Sequence, residues 1–240
     1  LPFIYFLFNR TISGANIFIY LGGLILLAAQ GFAGWYMVKS GLVSTPHVSH
    51  FRLAIHLLLA ILLYAILFWQ LMKNSFDIIL VSSKLNLSKI SLWLNISLIL
   101  LFIQITFGAF VAGLDAGLVY NSFPLMGESI VPSEIISRGL SLESFYDPVF
   151  VQFIHRILGY VITITIVASC FIGFKIQNFL LSKALVCTLV ALIFQITAGV
   201  LTLIYQVPIT IALLHQLGAV ILLSCLLWAK YLISSIDESK

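Results

Sequence analysis

The stretch VQFIHRILGYVITITIVASCFIGF, residues 151–174, decides the fold. It carries one charged side chain, Arg156, and one histidine, His155, in an otherwise uncharged and mainly apolar run. About 20 such residues in a helix cross the hydrocarbon core of a bilayer. A membrane-spanning helix is therefore expected, and ionisable groups inside one are costly enough to need a partner.

The rest of the chain has the same character. It is 240 residues long, 62% hydrophobic and 8% charged, against about 25% charged in a soluble domain. Five more stretches qualify as spans, at about 17–38, 52–72, 90–112, 184–206 and 209–233, with the quoted run extending to about 150–174. None shows the two-residue alternation of a membrane barrel. The opening LPFIYFLF (residues 1–8) lacks the charged n-region and cleavage site of a signal peptide and reads as the tail of a helix that begins upstream. The expected fold is an all-α integral membrane bundle, with six full transmembrane helices and the end of a seventh. Net charge is +4 with no basic stripe, so nucleic acid is not a partner. Cys170, Cys187 and Cys225 fall in or beside apolar runs without a CxxC, as buried thiols do.

Basic residues orient the bundle. Arg10, Lys73, Lys84, Lys89, Lys175, Lys183, Lys230 and Lys240 belong to one side, and Lys39, Arg52, Arg138 and Arg156 to the other. The richer side is expected in the cytoplasm or its equivalent, which leaves the long loop 113–149 outside.

Five histidines occur. His47 and His50, after Pro46, read as solvated loop residues. His56, His155 and His215 each lie about five or six residues inside a helix entered from the outer side, so at 1.5 Å per residue they share one depth. An interhelical hydrogen bond explains any one of them equally well. Several at one depth favour a shared plane, and neutral imidazole is a common axial ligand of heme iron. Zinc would want three or four convergent ligands, and a proton relay would want embedded acids. Arg156 follows His155, and Arg52 precedes His56 by one helical turn. Both sit where porphyrin propionates would emerge, although snorkelling explains either alone.

A repeat links these positions. AAQGFAG (Gln30, Gly34) matches IFQITAG (Gln195, Gly199), and each precedes an outer loop and a histidine-bearing helix. His56 lies 13 residues before Trp69, and His215 lies 13 before Trp228. FIQITFG adds Gln104 and Gly108; the glycines alone are ordinary helix-packing residues. Two four-helix halves related by duplication are expected. Residues 1–89 are the remainder of the N-terminal half, and residues 90–240, including outer loop 113–149, are a complete C-terminal half.

GAFVAGLDAGLVYNSFPLMG (108–127), with RLAIHL (52–57), FIHRILGY (153–160) and LLHQLGAV (213–220), resembles the heme A synthase family in its alphaproteobacterial and mitochondrial form. The likeness covers essentially the whole chain. It implies an eight-helix pseudo-symmetric membrane oxidoreductase that converts heme O to heme A, oxidising a porphyrin methyl to a formyl group with water as the oxygen source. It further implies a heme b cofactor whose iron is held by His155 and His215, with Arg156 and Arg52 beside the hemes. His56 is then the catalytic-side ligand of the substrate heme iron. A second substrate-heme histidine and a glutamate of the family pattern match no position here. The expected partners are heme O, the lipid bilayer, a heme O synthase and an electron acceptor, with a homo-oligomer allowed for. The expected location is the bacterial, or mitochondrial, inner membrane. The rival readings are a membrane cytochrome b without a substrate site and a non-enzymatic membrane protein with histidines bridging helices. A third aligned histidine, His56, speaks against the first.

Overall fold

A computed structural model describes residues 2–9, 14–41, 48–75, 87–138 and 141–237. Arg10, His47, Lys84, Lys240 and the side chain of Arg138 lie outside the described residues. A short helix α1 (Pro2–Phe8) is followed by α2 (Ala15–Gly41), α3 (His50–Ser75), α4 (Leu87–Gly113), a short α5 (Ser133–Arg138), α6 (Pro148–Phe174), α7 (Phe179–Ile204) and α8 (Ile209–Asp237). Six of these, all but α1 and α5, are long and apolar enough to cross a membrane. They coincide with the six expected spans and make the chain a multi-pass membrane protein. Only helices and closed barrels satisfy every backbone polar group in lipid, which is why the span count was readable.

The ends were less so. Helix α7 starts at Phe179, five residues before the expected 184, because the Asn178 side chain accepts the Leu181 N–H at 2.9 Å and caps it. Helix α6 starts where Asp147 accepts the Val149 N–H at 2.8 Å with Pro148 at its first position. Helix α4 stops past Gly113, and Asp115 takes a left-handed conformation (φ 50°).

Helices α4, α6, α7 and α8 form a four-helix bundle in which each packs on the next around the ring. Helices α6 and α8 thus face each other across it. Helix α3 packs on both α4 and α8, and α2 packs on α3. The main core lies toward one end of the bundle, built from Leu87, Ile90, Leu94, Ile162, Ile166, Leu181, Leu185 and the α8 run from Leu222 to Ile233. Ser97 and Ser169 meet inside it at 3.4 Å, and Tyr64 joins α3 to α8 through Ser224 at 2.7 Å. A smaller cluster of Ala54, Ala109, Phe110, Phe150 and Val151 closes α3, α4 and α6 at the other end.

His50 belongs to that second cluster, which corrects its reading as a solvated loop residue. It is 4% exposed, with its ring against Phe51, Phe110 and Tyr146 at centroid distances of 4.2, 5.3 and 5.2 Å. Gly113 makes this possible. A Cβ there would lie 2.7 Å from the Cα of His50, so only glycine lets the two helices approach so closely.

Candidate functional site

His56, His155 and His215 lie six, seven and six residues after the first residues of α3, α6 and α8. All three are therefore at one end of the bundle and at nearly one depth, as the sequence led us to expect. Their directions differ. His155 is 7, 11 and 18 residues before Ile162, Ile166 and Gly173, and His215 stands at the same offsets from Leu222, Leu226 and Ile233. All six of those residues are buried. Offsets of 7, 11 and 18 return to one helix face. Both imidazoles thus continue the core stripes of two helices that face each other across the bundle. The core stripe is closed at Ile162, Ile166, Leu222 and Leu226, and opens at the histidines, which are half-buried. Gly159 and Gly218, one turn deeper on the same two helices, make room for the amides of Gln104 and Gln195, which a Cβ would meet at 3.7 and 2.3 Å.

On α3, by contrast, the buried Ala54 and Ile61 stand two residues before and five after His56. At 100° per residue this puts His56 roughly 150° away from the core face. It points toward α2.

Each histidine has a partner on the preceding long helix. His56 Nδ1 is 3.0 Å from the Gln30 carbonyl oxygen, and His215 Nδ1 is 3.1 Å from that of Gln195. The side-chain amides of the same glutamines reach the opposite ring nitrogens, Gln30 Nε2 to His56 Nε2 at 3.3 Å and Gln195 Nε2 to His215 Nε2 at 3.5 Å. A carbonyl can only accept and an amide NH₂ can only donate. The two contacts therefore assign one tautomer, with the proton on Nδ1 and the lone pair on Nε2. Gly34 and Gly199 make room, since a Cβ at either would meet the imidazole Cε1 at 2.8 or 2.7 Å. His155 differs. Gln104 Nε2 donates to the His155 carbonyl at 3.0 Å and lies 3.3 Å from His155 Nε2, while His155 Nδ1 is buried without a partner.

The arginines are engaged. Arg156 Nη2 donates to the Tyr120 carbonyl at 2.8 Å, and Nη1 to those of Ser122 and Leu125 at 2.9 and 3.3 Å. Gln152, one turn before it, donates to the Tyr120 carbonyl at 3.0 Å. Asn121 ties the same loop to the end of α7 by donating to Gly117 and Leu203 carbonyls, both at 2.8 Å. The Gly117 contact and the left-handed Asp115 are turn chemistry, whereas the Leu203 contact is a tertiary tie. Tyr120 donates to Glu134 Oε1 at 3.0 Å, and that hydrogen bond holds its phenol above the usual tyrosine pKa. Arg52 donates to Ser40 Oγ at 2.5 Å and lies over the Tyr36 ring, 5.0 Å from its centroid. Gln152 and the pairing of each glutamine with a histidine were missed from sequence, because neither follows from spacing along a single helix.

Imidazoles whose Nε2 atoms carry only a displaceable amide, beside an apolar interior, suit a flat iron porphyrin. Among the described residues, no three or more His, Cys, Asp or Glu side chains converge as a bare ion would require. The donor set fits heme.

Comparison with known proteins identifies a family. Residues 1–227 match the COX15-CtaA family, described as cytochrome oxidase assembly protein. Similar relatives include proteins named heme A synthase from Rickettsia felis and Rickettsia conorii, each 47% identical over 234 residues, covering 98% of this chain and 69% of the relative. A heme A synthase of Rickettsia bellii is 47% identical over 235 residues and is covered to 70%.

Proposed function

The chain belongs to the COX15-CtaA family of cytochrome oxidase assembly proteins, and on that premise we propose that it is an oxidoreductase converting heme O to heme A. The reaction takes a porphyrin methyl and one water to a formyl group, releasing four protons and four electrons to an acceptor.

The observation that carries this reading is the placement of His155 and His215 on facing core stripes, at the level where the core opens. They are assigned as the residues that would hold the iron of a heme b cofactor. When bound, that group supplies one-electron transfer with no open coordination position. His56, turned away from this interior toward α2, is assigned to the substrate heme iron. This division favours the enzyme over a one-heme cytochrome b, which has no use for His56. The closed core beneath the histidines keeps water from the interior on that side, and the loop held by Gln152, Arg156 and Asn121 covers the other. Arg52, one turn from His56, is assigned to a propionate of the substrate heme, and Arg156 to the cofactor side. The location is the bacterial inner membrane, with the histidine end facing outward.

The test is spectroscopic. His155→Ala or His215→Ala removes the low-spin bis-histidine heme signal, while His56→Ala leaves most of it. The reverse pattern overturns the assignment. With heme O supplied, the wild-type holoenzyme yields heme A by chromatography; a heme-loaded preparation yielding none favours the cytochrome.

A further inference from the structure

The repeated Gln-x-x-x-Gly segments are not explained by heme binding as such. Their spacing has a local cause. In an α-helix the carbonyl of residue i accepts the N–H of residue i+4, so the side chain at i+4 overhangs that carbonyl. With glycine there, the second lone pair of the carbonyl is open to a neighbouring helix. Gly34 stands four residues after Gln30, and Gly199 four after Gln195. It is these two carbonyls that accept His56 Nδ1 and His215 Nδ1.

We propose that Gln30–Gly34 and Gln195–Gly199 are seats that position the heme-ligating histidines. The glycine exposes the carbonyl that fixes the ring and its tautomer. The glutamine amide lies on the iron-binding lone pair, so a bound iron must displace it. The two seats are nearly superposable in their numbers: 3.0 and 3.1 Å to the carbonyl, 3.3 and 3.5 Å to the amide, 2.8 and 2.7 Å for the excluded Cβ. Gln104 and Gly108 make a looser copy beside His155, with the amide 3.3 Å from Nε2 and the Gly108 Cβ position 3.4 Å from the imidazole Cε1. These residues position the ligands and do not touch the reacting methyl.

The inference rests on the bis-histidine reading above, and its test separates the two. In heme-free protein labelled with ¹⁵N-histidine, His56 and His215 show the Nδ1-protonated tautomer. Gly199→Ala abolishes that preference at His215 and lowers heme content toward that of His215→Ala. Gly31→Ala, whose Cβ meets nothing within 4 Å, changes neither. Gln195→Leu keeps the tautomer and loads heme at roughly threefold to tenfold lower concentration, since one net hydrogen bond no longer competes. In a Gly199→Ala protein that still loads heme, loss of the carbonyl contact raises the midpoint potential. An Nε2-protonated wild type, or a Gly199→Ala protein with unchanged tautomer and potential, overturns the seat. Loss of heme in Gln195→Leu overturns the displaceable amide. If His215→Ala keeps the bis-histidine spectrum, the heme assignment fails, whereas the ring tautomers remain a separate result.

Discussion

Arg156 separates two roles that make opposite predictions. Its sequence position suggests a propionate partner, yet its guanidinium holds the carbonyls of Tyr120, Ser122 and Leu125. Hydrogen bonds from a charged donor contribute about 1.5–3 kcal/mol each in net terms. The contact at 3.3 Å is the weakest, and the carbonyls regain water when the loop lifts. Arg156→Ala should therefore cost the loop about 2–3 kcal/mol of local stability, or roughly a 30- to 150-fold rise in its opening constant. Two amides report it directly. Met126 N–H donates to Ser129 O at 2.8 Å, and Gly127 N–H to Ser122 Oγ at 3.0 Å, both within the turn that hangs from Arg156. Hydrogen exchange measured on heme-free protein in nanodiscs isolates the loop from any effect of porphyrin. Arg156→Lys should recover only part of the protection, because one ammonium cannot fork to three carbonyls. If Met126 and Gly127 exchange in Arg156→Ala as they do in wild type, the clamp is refuted. Heme loss with an undisturbed loop would instead put the guanidinium on the porphyrin.

Two further predictions follow from contacts at the loop and in the bundle. Tyr120 donates to Glu134, which raises its pKa, so this contact stabilises the loop at neutral pH and is lost as pH rises above about 10 through the raised value. Glu134→Gln should bring the Tyr120 titration down, read as phenolate absorbance against a Tyr120→Phe background; an unmoved titration would count against the contact. Gly173→Ala and Gly113→Ala both place a Cβ in occupied space, 2.5 Å from Leu185 Cδ1 and 2.7 Å from His50 Cα respectively. Overpacking costs about 1–3 kcal/mol. Side-chain methyls can swing and backbone cannot, so Gly113→Ala should be the more destabilising in unfolding by detergent, and the opposite order would refute the close α3–α4 approach.

The six spans and the common depth of the three histidines were legible because the bilayer imposes both length and cost. The helix ends were not, since Asn178 and Asp147 set them through cap hydrogen bonds that hydropathy does not register. His50 was misread for a related reason. It follows a Pro-containing loop and opens a helix, and its burial depends on Gly113 more than sixty residues away. The glutamine–glycine repeat was visible as a pattern, yet its meaning needed the facing helix. Arg156 read as a propionate partner or a snorkelling side chain because its acceptors are backbone carbonyls, which a sequence never displays.

The positions of the histidines on their helices have a consequence for rigidity. In lipid, helices associate through packing and hydrogen bonds rather than by water exclusion, so the rotation of α6 and α8 is set where their side chains interlock. That is the closed end, at Ile162, Ile166, Leu222 and Leu226. His155 and His215 lie on the same stripes, so the core that fixes those rotations also aims the two imidazoles. His56 gains nothing from this arrangement, because the buried Ala54 and Ile61 hold the opposite face of α3. Its direction depends on the seat in α2, a helix packed on α3. The pair on α6 and α8 is thus aimed by the core. The ring on α3 is aimed instead by the carbonyl and amide of Gln30.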